Sequence, residues 1–288
     1  MISARSLLAT TILVSACSSE ATIVEEEGGG IPELEGYRLV WNDEFDAAEL
    51  SPSNWNHWVT GNPFNNELQY YTGHPQNSRL EDGVLKIIAL DTPYTDVDGT
   101  RSYSSARINT KGHADFLYGR FDIRAKLPFG QGIWPAIWML PTDNTYGGWP
   151  NSGEIDIMEM IGNDPATIHG TLHYTQANSS NHDSAGSSFR LPSGDFSDDF
   201  HVFTIEWEET EMRWYVDGQQ YRVARQWATN GQTFPAPFNQ RFHFLLNLAV
   251  GGDWPGSPNQ TTVFPQVMEV DYVRAYEAVA PKAPPLGQ

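Results

Sequence analysis

Short runs in which polar and apolar side chains alternate constrain the fold of this chain more than any other feature. Residues 118–127 alternate almost without fault, and Phe242, Phe244, Leu246 and Leu248 alternate with their neighbours. Successive side chains of a strand point to opposite faces of a sheet, so a period of two predicts strands with one buried face.

Turn signals between these runs indicate how the strands connect. Asp82-Gly83 and Asp217-Gly218 lie between β-rich runs and predict tight hairpins. A further alternating run covers residues 269–272, whereas the 3.6-residue period of a long helix is absent and residues 223–227 predict one short helix. Many short antiparallel strands over about 240 residues predict an all-β sandwich of two curved sheets.

Composition divides the 288 residues into one large domain and three flanking segments. Residues 1–16 carry Arg5, an apolar stretch and then small residues, which is typical of a signal peptide and too short for a membrane span. Residues 17–34 are acidic and glycine-rich and predict a flexible tether. We expect the folded domain at 35–278 and a disordered Pro/Ala-rich tail at 279–288.

The single cysteine, Cys17, excludes an intrachain disulfide. Val14-Ser15-Ala16-Cys17 resembles the lipobox of bacterial lipoproteins, in which the cysteine becomes the lipidated N-terminus. Ser18 and Ser19 follow it, a pattern that in Gram-negative lipoproteins implies an outer-membrane or cell-surface location. The alternative is an ordinary signal peptide cut near Ala16, with an incidental cysteine.

The charge balance excludes one class of partner and disfavours another. The chain has 17 basic and 36 acidic side chains, a net charge of −19. Nucleic acid requires a basic surface, so it is excluded as a partner. Sulfated polysaccharides are disfavoured by repulsion, although solubility is the larger reason for the acidity. Aromatic residues make up 12% of the chain, enough to leave rings for a binding surface.

One strand-like run, residues 153–159, concentrates three carboxylates. Alternation places Glu154 and Asp156 on one face but would turn Glu159 towards the core. A buried charge is costly unless it is paired. We therefore predict a β-bulge at Ile157–Met158, which returns Glu159 to the acidic face and is common beside active sites.

This spacing fits a known chemistry. With one residue absorbed by the bulge, the Cα atoms of Glu154 and Glu159 lie roughly 13 Å apart, and side chains leaning together leave the carboxyls roughly 5 Å apart. Retaining glycosidases use that separation, whereas inverting enzymes need room for a water. Asp156 between them would raise a neighbour's pKa and hydrogen-bond to a nucleophile. The alternative is the acidic, solvent-facing side of an edge strand.

The acidic run resembles the bulged Glu-x-Asp-x-x-Glu signature of glycoside hydrolase family 16. Further blocks resemble its bacterial laminarinase branch, namely residues 65–71, 105–110, 130–141, 146–150, 169–173 and 247–252. Several blocks in the right order, over about residues 37–276, are more specific than one motif. The resemblance implies a β-jelly-roll fold with a concave cleft, retention of anomeric configuration and cleavage of internal β-1,3 bonds of laminarin-type glucans.

The same resemblance implies the catalytic roles. Glu154 matches the nucleophile that forms the glycosyl-enzyme, Glu159 matches the acid/base, and Asp156 matches an assisting carboxylate. Composition does not distinguish the first two roles. No redox or organic cofactor is expected for this chemistry.

Substrate-binding residues follow from the resemblance in the same way. Trp134 and Trp149 match aromatic platforms for the apolar faces of sugar rings, and Trp254 resembles them less closely. Trp138 lies in an apolar run, so core packing is the alternative for it.

Three polar residues complete this predicted set. Asn66 and Arg107 match residues that hydrogen-bond to sugar hydroxyls, although an arginine in an apolar strand also suits a structural ion pair. His173 matches a histidine near the acid/base. A structural role is the alternative for this histidine.

A structural calcium ion is also implied. Glu44, the carbonyl of Gly83 and Asp271 match a family site on the convex sheet, and oxygen ligands suit calcium. The alternatives are solvent-facing acids and a plain turn.

The sequence thus predicts a lipid-anchored, monomeric, retaining endo-β-1,3-glucanase that acts on neutral β-glucan. One alternative keeps the fold and mechanism but acts on mixed-linkage β-1,3-1,4-glucan, agar or carrageenan. Another is a non-catalytic β-glucan-binding surface lipoprotein, which would not need the carboxylate pair. A purely structural β-sandwich would leave the tryptophan blocks around three acids unexplained.

Overall fold

The computed structural model describes residues 30–279, which form strands and turns. This part of the chain contains no helix, and so none that is long and apolar enough to cross a membrane. Its strands are β1 (Tyr37–Asp43), β2 (Asn56–His57), β3 (Gln69–Tyr71), β4 (Ser78–Glu81), β5 (Val84–Ala89), β6 (Tyr94–Asp96), β7 (Gly99–Arg101), β8 (Tyr103–Ser105), β9 (Arg107–Asn109), β10 (Gly119–Lys126), β11 (Ile133–Pro141), β12 (Glu154–Glu159), β13 (Thr167–Thr175), β14 (His182–Arg190), β15 (His201–Trp207), β16 (Met212–Val216), β17 (Gln219–Ala224), β18 (Phe242–Val250) and β19 (Gln266–Ala278).

Two antiparallel sheets make up most of the described structure. An eight-stranded sheet has the order β17-β16-β15-β10-β19-β5-β4, with β1 also pairing with β19. A seven-stranded sheet has the order β14-β13-β12-β11-β18-β9-β2. The short pairs β3-β8 and β6-β7 stand apart from both. The predicted all-β sandwich is confirmed.

The core lies between these sheets and is rich in aromatic rings. Phe121 of β10 and Phe244 of β18 are fully buried, with ring centroids 5.5 Å apart and planes at 84°. Burial of such a side chain contributes about 1.5–3 kcal/mol. Every residue of β18 is buried, including His243 and Asn247 on its other face. Both faces of β18 are therefore covered: one packs against the core, and the other lies beneath the cleft on this sheet.

The two predicted hairpins are confirmed. Asp82-Gly83 joins β4 to β5 with φ of 57° and 77°, and Asp217-Gly218 joins β16 to β17 with φ of 48° and 77°. Positive φ at both central residues is the hairpin geometry that Asp-Gly adopts readily.

The predicted short helix at residues 223–227 is wrong. Val223 and Ala224 end β17, where they pair with Arg213 and Met212 of β16. Backbone pairing with a neighbouring strand overrides the local preference of so short a segment.

The first strand begins at residue 37 and the last ends at residue 278, within the predicted domain of 35–278. The predicted signal peptide, Cys17 and most of the tether and tail lie outside the described residues, and their assignments stay predictions.

Candidate active site

The acidic run forms β12, the third strand of the seven-stranded sheet, and it is bulged. Against β11, Trp138 pairs with Asp156 but Ile137 pairs with Met158, so Ile157 is an extra residue. Against β13 the register also shifts between Asp156 and Glu159. The predicted bulge is confirmed, and the three acids lie on one side because Ile157 and Met158 both turn into the core.

Contacts from the rest of the fold hold this bulge in place. The indole Nε1 of Trp214, in the opposite sheet, donates to the carbonyl of Asp156 at 2.9 Å. Gly153 precedes the strand at φ 82°, and a Cβ there would lie 2.8 Å from the Phe238 ring. Glycine alone adopts that conformation without cost and leaves room for the ring.

The acids open onto a cleft of about 840 Å³. Glu154 and Glu159 line the cleft, and all three acids line an adjoining recess of about 70 Å³. The aromatic lining of the cleft consists of Trp58, Phe64, Trp134, Trp138, Trp149 and Trp254. Trp149 is 55% exposed and Trp254 41%, so their faces are open to a ligand. Such rings suit the apolar faces of sugars.

Two of these tryptophans also contact the outer carboxylates. Trp149 Nε1 donates to Glu154 Oε2 at 2.7 Å, and Trp134 Nε1 donates to Glu159 Oε1 at 3.1 Å. Trp254 packs edge-on against Trp134, with ring centroids 5.5 Å apart. The indoles therefore orient the acids as well as lining the cleft.

Burial governs the protonation of the three acids. It raises the pKa of Glu154 to about 8, with repulsion from Asp156 adding to the increase. Burial likewise raises the pKa of Asp156 to about 7. The pKa of Glu159 is raised well above its usual value by burial and then by the charges of Asp156 and Glu154. The cluster therefore retains at least one proton near neutral pH, shared among groups that titrate together.

His173 lies beside this cluster. It sits on β13 directly opposite Glu154, and its Nε2 lies 2.9 Å from Asp156 Oδ2 in a poorly aligned contact. Its Nδ1 lies 2.7 Å from Nε2 of His182 on β14. One side-chain N or O atom from each of Glu154, Asp156 and His173 lies within 4.8 Å of the others.

Arg107 lies on β9 with its guanidinium between two indoles. Its Cζ is 4.2 Å from the Trp58 ring centroid and 4.6 Å from that of Trp138. Among the described residues no ion pair is found for it, and its buried Nε has no hydrogen-bond partner. Burial lowers the pKa of Arg107, with Tyr71 and Glu67 opposing the decrease. Arg107 lines the cleft and has no ion-pair partner among the described residues, which favours ligand binding over the structural ion pair.

The remaining predicted polar and aromatic residues occupy different surroundings. The Asn66 side chain donates to Asp253 at 2.8 Å, and it is Asn65 that lines the cleft. Trp138 lines the cleft and donates to Asn247 Oδ1 at 2.8 Å.

Several residues of this site escaped the sequence reasoning. Asn247 had a signal, since it is polar on the face of β18 that alternates with the core. Trp58 and His182 had none, because they lie far along the chain from the acidic run and reach it through sheet pairing.

The predicted calcium ligands belong to the eight-stranded sheet and its edge. Both oxygens of the Glu44 carboxylate accept from Arg274, at 3.0 and 2.8 Å, and Asp271 pairs with Arg124 at 2.6 Å. Gly83 lies in the turn between β4 and β5. The arrangement fits a calcium ion poorly, because guanidinium groups already neutralise both carboxylates.

Comparison with known proteins gives consistent matches. Residues 65–274 match the family described as Glycosyl hydrolases family 16. A "Beta-glucanase" of Rhodothermus marinus is 46% identical over 252 residues, covering 84% of this chain and 86% of that protein. "Glucan endo-1,3-beta-glucosidase A1" of Niallia circulans is 42% identical over 266 residues, covering 85% of this chain but 39% of that longer protein. The laminarinase catalytic domain of Thermotoga maritima superposes with a TM-score of 0.76 at 43% identity, covering 85% of this chain and all of that domain.

Proposed function

This chain belongs to glycosyl hydrolases family 16, and from that premise we propose that it is a retaining endo-glycosidase that hydrolyses internal β-1,3 bonds of laminarin-type β-glucans. The observation that carries the proposal is the bulged strand β12, which presents Glu154 and Glu159 to a tryptophan-lined cleft and Asp156 to its adjoining recess.

The protonation pattern supports a double displacement. Burial and two neighbouring charges raise the pKa of Glu159 well above its usual value, so Glu159 is suited to hold the proton that the leaving oxygen needs. The hydrogen bond from Trp149 opposes the larger effect of burial on the pKa of Glu154 and so helps to stabilise the ionised form that a nucleophile requires. Asp156 lies beside Glu154, so its charge keeps a proton within the cluster until substrate arrives.

The double displacement has two steps. In the first, Glu159 gives its proton to the glycosidic oxygen, the bond from C1 to that oxygen breaks, and a Glu154 oxygen bonds to C1. In the second, Glu159 takes a proton from water, the water oxygen bonds to C1, and the bond between C1 and Glu154 breaks. Two inversions at C1 retain its configuration.

The cleft favours a neutral glucan over an anionic chain. Its indole faces suit pyranose rings, and Arg107 lines it with a guanidinium, a group that donates to hydroxyls. A sulfated galactan would instead meet three closely spaced carboxylates. A binding protein with no catalytic role is disfavoured, because burying this acidic cluster is costly and sugar binding does not need it.

Reducing-end release from laminarin, lichenan, agarose and carrageenan tests the substrate. We expect the highest rate on laminarin, with the β-anomer formed first in proton NMR. Tight binding of laminarin without hydrolysis would favour the binding protein instead.

Azide rescue with an activated aryl glucoside tests the two glutamate roles. Glu154→Ala should give an α-glycosyl azide and Glu159→Ala a β-azide. The reverse pattern would exchange the assignments.

We also propose that the enzyme is a monomeric lipoprotein of the outer membrane or cell surface. On this proposal residues 1–16 are removed, Cys17 carries the lipid, residues 17–34 tether the domain at 35–278, and 279–288 form a tail. The support is the lipobox-like sequence with its single cysteine. Labelling with an azido-palmitate analogue should mark the wild type and be lost in Cys17→Ala; label retained in that variant would count against it.

The calcium ion stays a prediction and takes no part in the chemistry. The ion pairs of Glu44 and Asp271 must open before these carboxylates can bind it. If it binds, a chelator lowers the melting temperature while hydrolysis continues at lower temperature; an unchanged melting temperature removes the site.

A further inference from the structure

A pair of stacked histidines joins the edge of the sheet to the carboxylate cluster. His182 is the first residue of β14, the edge strand, and lies diagonally across from His173 on β13. Their ring centroids are 4.9 Å apart with planes at 22°, and Nδ1 of His173 lies 2.7 Å from Nε2 of His182.

His182 also contacts the tryptophan that serves the proposed nucleophile. Its ring centroid lies 4.8 Å from that of Trp149, with planes at 34°. Trp149 in turn donates to Glu154 at 2.7 Å. One side chain thus touches the partners of two acids, reaching Asp156 through His173 and Glu154 through Trp149.

The contact between the two rings requires a particular arrangement of protons. A neutral imidazole has one N–H, and a 2.7 Å separation of ring nitrogens requires one proton between them. If His173 donated that proton, its Nε2 lone pair would face the Asp156 carboxylate at 2.9 Å. If His182 donates it, the proton of His173 is free to lie on Nε2, beside the Asp156 carboxylate. Burial, together with His173, lowers the pKa of His182, which favours its neutral form.

We propose that His182 is a positioning residue: it donates to Nδ1 of His173, thereby fixes the tautomer whose Nε2–H faces Asp156, and holds the Trp149 ring beside Glu154. Any effect of His182 on kinetics depends on the hydrolysis proposed above, whereas the tautomer of His173 does not depend on it.

The charged and titratable surroundings set the direction of the effect on pH dependence. Those facing the pair and Asp156 are Glu154 and Glu159 on β12, Asp183 on β14 and Arg222 on β17. Losing the N–H beside Asp156 leaves the charge of this carboxylate less stabilised. The acidic limb of the kcat/KM profile should then move to higher pH by roughly one unit.

Two substitutions separate the two roles. His182→Phe keeps a ring against Trp149 but removes the donor, so we expect the shifted acidic limb, a several-fold lower kcat and a KM near that of the wild type. His182→Gln keeps an N–H donor but removes the ring, so we expect the wild-type profile with a several-fold higher KM for laminarin. His74→Phe, an exposed histidine outside the cleft lining, is the matched control and should change neither quantity.

The ¹⁵N chemical shifts of His173 provide a readout that does not depend on activity. We expect a protonated Nε2 and an unprotonated Nδ1 in the wild type and in His182→Gln, and a mixture in His182→Phe. A wild-type His173 protonated at Nδ1, or variants that lower kcat equally without moving the pH profile, would overturn the inference. Absence of glucan hydrolysis by the wild type would contradict the proposed function instead. The ¹⁵N chemical shifts would still determine the tautomer of His173.

Discussion

Replacing Glu154 by glutamine is expected to stabilise the fold at alkaline pH while abolishing hydrolysis. Burial and Asp156 raise the pKa of this carboxyl from 4.5 to about 8. A group whose pKa is higher in the folded state contributes stability that is complete below its unfolded pKa and is lost as pH rises through the folded value. The neutral amide mimics the protonated acid at every pH, so the variant avoids that loss.

The size of the effect follows from the difference between the two pKa values. Each pH unit is worth 1.36 kcal/mol, so the rise from 4.5 to about 8 gives an upper limit of about 5 kcal/mol above pH 8. Asp156 and Glu159 titrate with Glu154 and take over part of the proton uptake, so we expect about 1–3 kcal/mol. For a domain of this size that corresponds to a melting temperature higher by roughly 2–6 °C.

Calorimetry of the wild type and Glu154→Gln at pH 4.5 and pH 8.5 measures this difference. The variant should match the wild type at pH 4.5 and melt higher at pH 8.5. Glu81→Gln is the control, because the pKa of Glu81 is shifted in the opposite direction: hydrogen bonds from Lys86 and Arg79 lower it. Removing the Glu81 charge should therefore not stabilise the fold at pH 8.5. An equal gain at both pH values, or a loss at pH 8.5, would refute the reasoning from burial.

Three further substitutions test how the site is held. Trp214→Phe removes the buried donor to the carbonyl of Asp156 in the bulge. We expect the free energy of unfolding in urea to fall by about 1–3 kcal/mol and kcat to decrease. An unchanged kcat would show that other contacts fix the bulge. Gly153→Ala places a methyl group 2.8 Å from the Phe238 ring and forces alanine into a backbone conformation with φ of 82°. We expect about 1–3 kcal/mol of destabilisation, and a loss of activity at temperatures where the protein remains folded. Arg107→Lys keeps the charge but loses the planar guanidinium that stacks between Trp58 and Trp138. We therefore expect the KM for laminarin to rise several-fold, with a smaller change in kcat. An unchanged KM would place the guanidinium outside the binding surface.

Much of the fold, including the bulged acidic strand, could be predicted from the sequence because the patterns that specify these elements are local. Alternation at residues 118–127 and the Asp-Gly dipeptides depend on neighbours along the chain, and they predicted β10 and both hairpins. The bulge also followed locally, since a charged Glu159 in a strict strand would face the core. The helix prediction at residues 223–227 failed because a paired strand edge decided that segment.

Residue chemistry in order along the chain determined that this protein is a β-sandwich carrying three acids on one bulged strand. Tertiary structure alone decided what surrounds those acids: Trp214 reaches the bulge from the opposite sheet, and Trp58 stacks on Arg107. It also decided their pKa values, because burial and charge separation depend on distances that chain order does not contain. A pattern of period two specifies which face a side chain takes, whereas sheet pairing specifies which distant side chain it meets there.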